Sequence, residues 1–185
     1  MRRLIFLLAC SFTLPALHVA SAQQQQSPWR TKLADSMPLL GHRNWILIVD
    51  SAYPLQSSPG VETVETNASH LEVVQAVLDT INQSIHVRSD IFMDAELPFL
   101  SDSDAPGVSA YRTKIAALLY PYKIQSLPHE KIIARIDQAG KTFHVLILKT
   151  NMTIPYTSVF IQLNCKYWSD DAEGRLRARM NAASK

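Results

Sequence analysis

Cysteine is scarce. Cys10 and Cys165 are the only two in 185 residues, and Cys10 lies in an N-terminal stretch patterned for removal, which leaves Cys165 without a partner. An intramolecular disulfide and a cysteine-based zinc site are thereby excluded. Glycine is nearly as sparse. The five glycines are scattered singly, so there is no glycine-rich phosphate loop and no dinucleotide fingerprint. No His-x-x-x-His pair points to a metal, and no Gly-x-Ser-x-Gly elbow points to a serine nucleophile. Past the N-terminal stretch, no segment is long and apolar enough for a membrane span, which takes about 20 residues. A charge excess is missing too. Eighteen Lys and Arg face 16 Asp and Glu, and loss of Arg2 and Arg3 with a leader leaves 16 of each. That balance argues against nucleic acid or an anionic membrane surface as partner.

What is present begins with an export pattern. Arg2 and Arg3 form a positive start, Leu4 to Leu17 is almost wholly apolar, and Ala20-Ser21-Ala22 offers small residues before the polar tract Gln23 to Gln26. This is the layout of a cleavable secretory signal over residues 1–22, with a secreted or periplasmic destination. An uncleaved anchor is the alternative, and a lipoprotein reading of Leu7-Leu8-Ala9-Cys10 is weaker because few apolar residues precede the cysteine. Cleavage after Ala22 leaves 163 residues, one domain by length and enough for a real core.

Residues 23–38 read as a low-complexity linker over Gln23 to Pro28 and a short helix over Trp29 to Met37, ended by Pro38. Trp45 to Val49 is a run of five apolar residues, the pattern of a strand covered on both faces. Val61 to Thr66 alternates like a short strand. Ser69, with Glu72 three residues later, is a capping-box start for a helix over His70 to Ser84, with Leu71, Val74, Val77, Leu78 and Ile81 on one face. Val87 to Met93 reads as a strand, Ser109 to Leu119 as a helix, and Lys123 to Leu127 as a strand. A helix then opens at Pro128 and closes near Gly140. Phe143 to Lys149 and Val159 to Leu163 are the last strands. Strands alternating with helices predict a single layered α/β domain over residues 39–168, a central sheet flanked by helices. Residues 169–185 form a charged tail, within which Glu173 to Asn181 reads as a frayed helix or as disordered. Cys165, at the end of an apolar run, reads as a buried inert thiol.

The polar groups that remain stand at the ends of apolar elements. His42 precedes the first strand and Asp50 follows it, about 25 Å apart if the strand is straight. Each has a plain reading, a surface or capping histidine and a loop-capping carboxylate. His129 opens a helix, whose positive end favours the neutral ring able to give or take a proton near neutral pH; the alternative is a capping role. Tyr156-Thr157-Ser158 sets three hydroxyls in a row before the last strand, for a small polar ligand or for a Thr/Ser turn. Asp94 and Glu96 are either extra site carboxylates or a solvated strand end.

Leu40-Gly41-His42, Asp50 eight residues on, Pro54, a histidine opening a helix at His129, and Pro155-Tyr156-Thr157-Ser158 entering the last strand together resemble the RbsD/FucU family of D-ribose pyranases and L-fucose mutarotases. The likeness runs from about Leu40 to Leu163. It implies a cofactor-independent isomerase, with no metal, that opens and recloses the hemiacetal ring of a free monosaccharide such as ribose or fucose. By the resemblance, His42 is the general acid, and Asp50, His129 and Tyr156 hold sugar hydroxyls or share proton transfer. Ser158 stands where the family has an asparagine. Lys149-Thr150-Asn151 follows the family's Arg-Thr-Gly-Glu only loosely. Family members assemble as rings with sites completed by adjacent subunits, so a homo-oligomer is expected, which eases the separation of His42 from Asp50. The alternatives are a non-catalytic exported sugar-binding protein and a scaffold that has lost its ligand.

Overall fold

The computed structural model describes residues 27–184, so the signal-like segment 1–22 lies outside the described residues. The strand predicted at Trp45 is β1 (Trp45–Val49), every residue of it buried. Its side chains alternate between two cores. Ile46 and Ile48 join one apolar cluster, and Trp45, Leu47 and Val49 join the other. A strand can be apolar at every position only when both sheet faces are covered.

The remaining strands are β2 (Val61–Glu65), β3 (Val87–Asp94), β4 (Ile124–Leu127), β5 (Val145–Lys149) and β6 (Val159–Cys165). They form one six-stranded sheet in the order β2-β5-β1-β6-β3-β4. β1, β2 and β5 run parallel, β3 and β4 run parallel, and β6 is antiparallel to both β1 and β3. The carboxyl ends of five strands therefore share one edge of the sheet with the start of β6.

Helices α1 (Pro28–Ser36), α2 (His70–Gln83) and α3 (Val108–Leu119) bury Trp29, Leu33, Val77, Ile81, Val108 and Ile115 against one face. Helix α4 (His129–Ala139) covers the other with Ile132, Ile136 and Ala139. The connection from β1 to β2 passes Gly60, where an added Cβ would collide with the Gly140 carbonyl oxygen and lie 2.6 Å from that of Phe143. Only glycine permits this approach of the sheet edge to the end of α4.

Several expectations are corrected. Pro28 begins α1 rather than closing a linker, since proline suits the first helical turn. Ser69 caps α2 without a side-chain hydrogen bond; Glu72 is instead drawn to Arg30, 2.9 Å away, so no capping box forms. Leu71 is only half-buried, while Val73 and Ala76 enter the core. Cys165 is half-buried rather than buried. The charged tail forms a regular helix, α5 (Asp170–Ala183), that buries none of its residues. Ser169 caps it, accepting a hydrogen bond from Ala172 N at 3.1 Å, and three acidic residues in its first turn, Asp170, Asp171 and Glu173, suit the helix dipole.

Candidate active site at the carboxyl edge of the sheet

Because β6 runs against its neighbours, the chain leaves β1 toward β2 on one side and leaves β3 toward β4 on the other. Such a divergence at the carboxyl ends of strands opens a crevice where ligands bind in α/β sheets. Here it brings together the residues that follow β1, β3 and β4 and those that precede β6. Asp50, Tyr53, Gln56, His129, Glu130 and Tyr156 line one cavity of about 350 Å³, a volume suited to a small molecule.

His129 is fixed twice. Both oxygens of Glu96 accept from its backbone N–H, at 2.9 and 3.1 Å, so a carboxylate from another segment caps α4 where Pro128 has no side chain to do so. Its Nδ1 lies 3.1 Å from Asp94 Oδ1, and among the described residues Nε2 makes no hydrogen bond. Asp94 is only 2% exposed, and its Oδ2 is buried without a partner. Burial pushes its carboxyl up to about 6, against the pull of His129. Asp94 is thus an orienting carboxylate behind the imidazole, not a solvated strand end.

Tyr156 has a left-handed backbone, φ 58°, which costs a side chain with a Cβ roughly 1–2 kcal/mol. Its ring meets that of His129 edge-on, with centroids 5.6 Å apart. The two hydroxyls after it turn inward. Thr157 Oγ1 donates to the Ile154 carbonyl at 2.7 Å, and both Thr157 and Ser158 are buried. Of the three hydroxyls in a row, only that of Tyr156 belongs to a cavity-lining side chain. Asp50 performs its loop-capping role as well, with Oδ1 accepting from Ala52 N at 2.8 Å.

His42 is not brought to this cavity within one chain. It precedes β1, at the opposite edge of the sheet, where its Nδ1 lies 2.9 Å from Asn164 Oδ1.

Tyr53 and His70, the latter with its partner Tyr111, were not singled out from the sequence. Tyr53 lies in a proline-flanked loop, yet it is buried, with its phenol pushed above the usual range by burial and by the charges of Asp137, Asp94 and Asp50. His70 reads as a helix start but is 1% exposed. Its Nε2 lies 3.3 Å from the Ile48 carbonyl and its Nδ1 3.3 Å from the Tyr111 hydroxyl. That hydroxyl donates to the Thr157 carbonyl at 2.9 Å, so the pair supports the segment that carries Tyr156. Asp94 and Glu96, which follow the apolar run Ile91-Phe92-Met93, are the supporting groups that the sequence had already offered as candidates.

Residues 29–165 match the RbsD / FucU transport protein family. The structure is similar to RbsD of Bacillus subtilis, solved with D-ribose: 15% identity, 71% of this chain and 90% of that one, TM-score 0.51. It is similar to FucU of Bifidobacterium longum at 16% identity, over 71% of this chain and 92% of that one, TM-score 0.50. The fucose mutarotase of Streptococcus pneumoniae, solved with L-fucose, has 19% identity over 75% of this chain and 96% of that one, TM-score 0.49. No curated protein matches the sequence. At such identities the first two likenesses are of fold.

Proposed function

The chain belongs to the RbsD / FucU family, and from that membership we propose that it is an isomerase that opens and recloses the ring of a free monosaccharide, exported by the signal-like pattern of residues 1–22. The observation that carries the reading is the convergence of Asp50, His129 and Tyr156 on one cavity, with a buried carboxylate holding the imidazole from behind. Among the described residues no lysine or arginine lines that cavity, while Asp50 and Glu130 do, so it suits an uncharged sugar rather than a phosphorylated one.

Ring opening takes the proton from the anomeric hydroxyl, breaks the bond between the anomeric carbon and the ring oxygen, and delivers a proton to that oxygen. Closing on the other carbonyl face, or through another hydroxyl, gives the other anomer or ring size. With Asp94 ionised, its oxygen accepts from Nδ1–H, which leaves the Nε2 lone pair for the hydroxyl proton. Asp50 and Tyr156 hold sugar hydroxyls. His42 is the general acid, supplied by a second copy in a homo-oligomer, because its own β1 separates it from the cavity. The chemistry calls for no cofactor.

Ser158 favours a second reading, sugar binding without turnover. It is buried and lies outside the lining of the cavity, so the amide that the family resemblance puts at this position, able to donate and accept at once, has no substitute here.

Exchange NMR of anomer interconversion with ribose, fucose and galactose tests both. Exchange faster than in buffer that saturates with sugar and is lost in His129→Ala supports the isomerase. Saturable binding with exchange no faster than buffer supports the second reading. Neither binding nor exchange with any of the three ends both.

A further inference from the structure

A second cavity, of about 640 Å³, opens at the amino edge of the sheet, on the face covered by α4, and is lined by Arg43, Trp45, Arg135, Gln138, Phe143 and Gln162 among others, none of them acidic. It shares no lining residue with the cavity at His129.

Five arginines lie between residues 27 and 168. Arg30 pairs with Glu72, Arg88 with Asp90 and Asp170, and Arg112 donates to the Leu100 carbonyl at 2.6 Å. The other two, Arg43 and Arg135, have no carboxylate and no side-chain hydrogen bond among the described residues, and both line this cavity. Each guanidinium rests over an aromatic ring, Arg43 at 4.6 Å from the centre of Phe143 and Arg135 at 5.3 Å from that of Phe92. Stacking of this kind orients the donors while leaving them unspent.

Backbone geometry points the same way. Arg43 has φ 79°, one of three positive values outside glycine among the described residues, with Asn67 and Tyr156. Asparagine tolerates that region; arginine and tyrosine do so at a cost. The two bulky left-handed residues each line a cavity. The turn at Arg43 is held by Gly41 N donating to Asn44 Oδ1 at 2.7 Å and Arg43 N donating to the Leu163 carbonyl at 2.9 Å. Strain kept in place by its surroundings is characteristic of binding sites.

We propose that this cavity binds a small organic phosphate. The phosphate oxygens take the fork donors of Arg43 and Arg135, the amides of Gln138 and Gln162 add donors, and the organic body lies along Trp45 and Phe143. The volume leaves room beyond a bare oxyanion. The cavity is distinct from the sugar cavity of the same chain, since the two share no lining residue, lie at opposite edges of the sheet and differ in charge.

The test is a titration of the full chain with phenyl phosphate, inorganic phosphate and phenol, following the NMR signals of the Trp45 indole and the Gln138 and Gln162 side-chain amides. Arg43→Gly and Arg135→Gln are the variants. Glycine accepts the left-handed turn, and Arg135 lies on an exposed helix face, so both keep the fold. Phenyl phosphate is expected to shift these signals saturably and more tightly than inorganic phosphate, with phenol inert. Each variant should weaken it by about tenfold or more, the loss of a charge-assisted contact. No saturable shift with phenyl phosphate at millimolar concentration, unchanged affinity in either variant, or phenol binding as tightly overturns the proposal. Inorganic phosphate binding as tightly overturns the organic body.

Discussion

The carboxylate of Asp94 stands directly behind the imidazole of His129, 3.1 Å from Nδ1, in a place where water cannot replace it. That contact fixes both the orientation of the ring and the nitrogen that carries its proton. Asp94→Asn keeps the shape but lets the amide present either an oxygen or an NH2 to Nδ1, so the tautomer is no longer imposed. The expected result is a fall of up to ~10²-fold in the sugar exchange rate at saturation, with the half-saturating sugar concentration nearly unchanged. Rates fitted across a sugar titration check it; weaker binding at an unchanged maximal rate contradicts an orienting role.

Asp94 and His70 oppose one another in their effect on stability. Burial raises the Asp94 carboxyl to about 6, so between about 4 and 6 the folded state holds a proton that the unfolded state has lost. Its contribution is therefore complete in acid and declines as pH rises. Burial lowers His70 to about 4, so the unfolded state binds the extra proton between about 4 and 6.5, and stability declines as pH falls. The two trends offset each other in the native protein. Asp94→Asn removes one of them, and its stability should climb by ~3 kcal/mol from pH 4 to pH 6.5 while that of the native chain stays flatter. Urea unfolding at the two pH values measures the difference; parallel profiles contradict it.

Tyr156→Gly separates backbone strain from function. The left-handed φ of 58° suits glycine, which should offset much of the lost ring contact with His129 and hold stability within about 1 kcal/mol of the native chain. Sugar affinity should fall, because the only cavity-lining hydroxyl of the three is gone. Thermal unfolding and a binding titration of the same sample decide it, and undiminished affinity would remove Tyr156 from the site.

His42 gives a test of assembly. If it serves the cavity of another copy, His42→Ala and His129→Ala are each inactive alone, but mixed after dissociation and reassociation they form some sites with both histidines intact. Partial recovery of exchange is expected. Absence of recovery in mixed oligomers contradicts a shared site.

The layered α/β class was legible in the sequence because burial on both faces leaves an unmistakable mark, five apolar residues in a row at Trp45–Val49. The loop-to-element boundaries at Asp50, His129 and Tyr156 were legible for a related reason, since polar residues stop apolar runs. What could not be read was which ends meet. That depends on β6 running antiparallel between β1 and β3, a pairing of segments far apart in the chain. Asp94 stayed ambiguous because a carboxylate ending a strand looks the same whether it faces water or a histidine from another element. His70 was hidden by its place at a helix start, where polar residues are ordinary. The helix at Asp170–Ala183 follows from local capping and charge, not from packing, as it buries nothing.

The most direct measurement is two-dimensional exchange NMR on D-ribose carrying ¹³C at C1, comparing the native protein with His129→Ala at equal concentration and equal thermal stability. Cross-peaks between ring forms are expected to build up faster than in buffer with the native protein and at the buffer rate with the variant. Native protein and variant exchanging ribose equally fast, above buffer, would contradict the role given to His129.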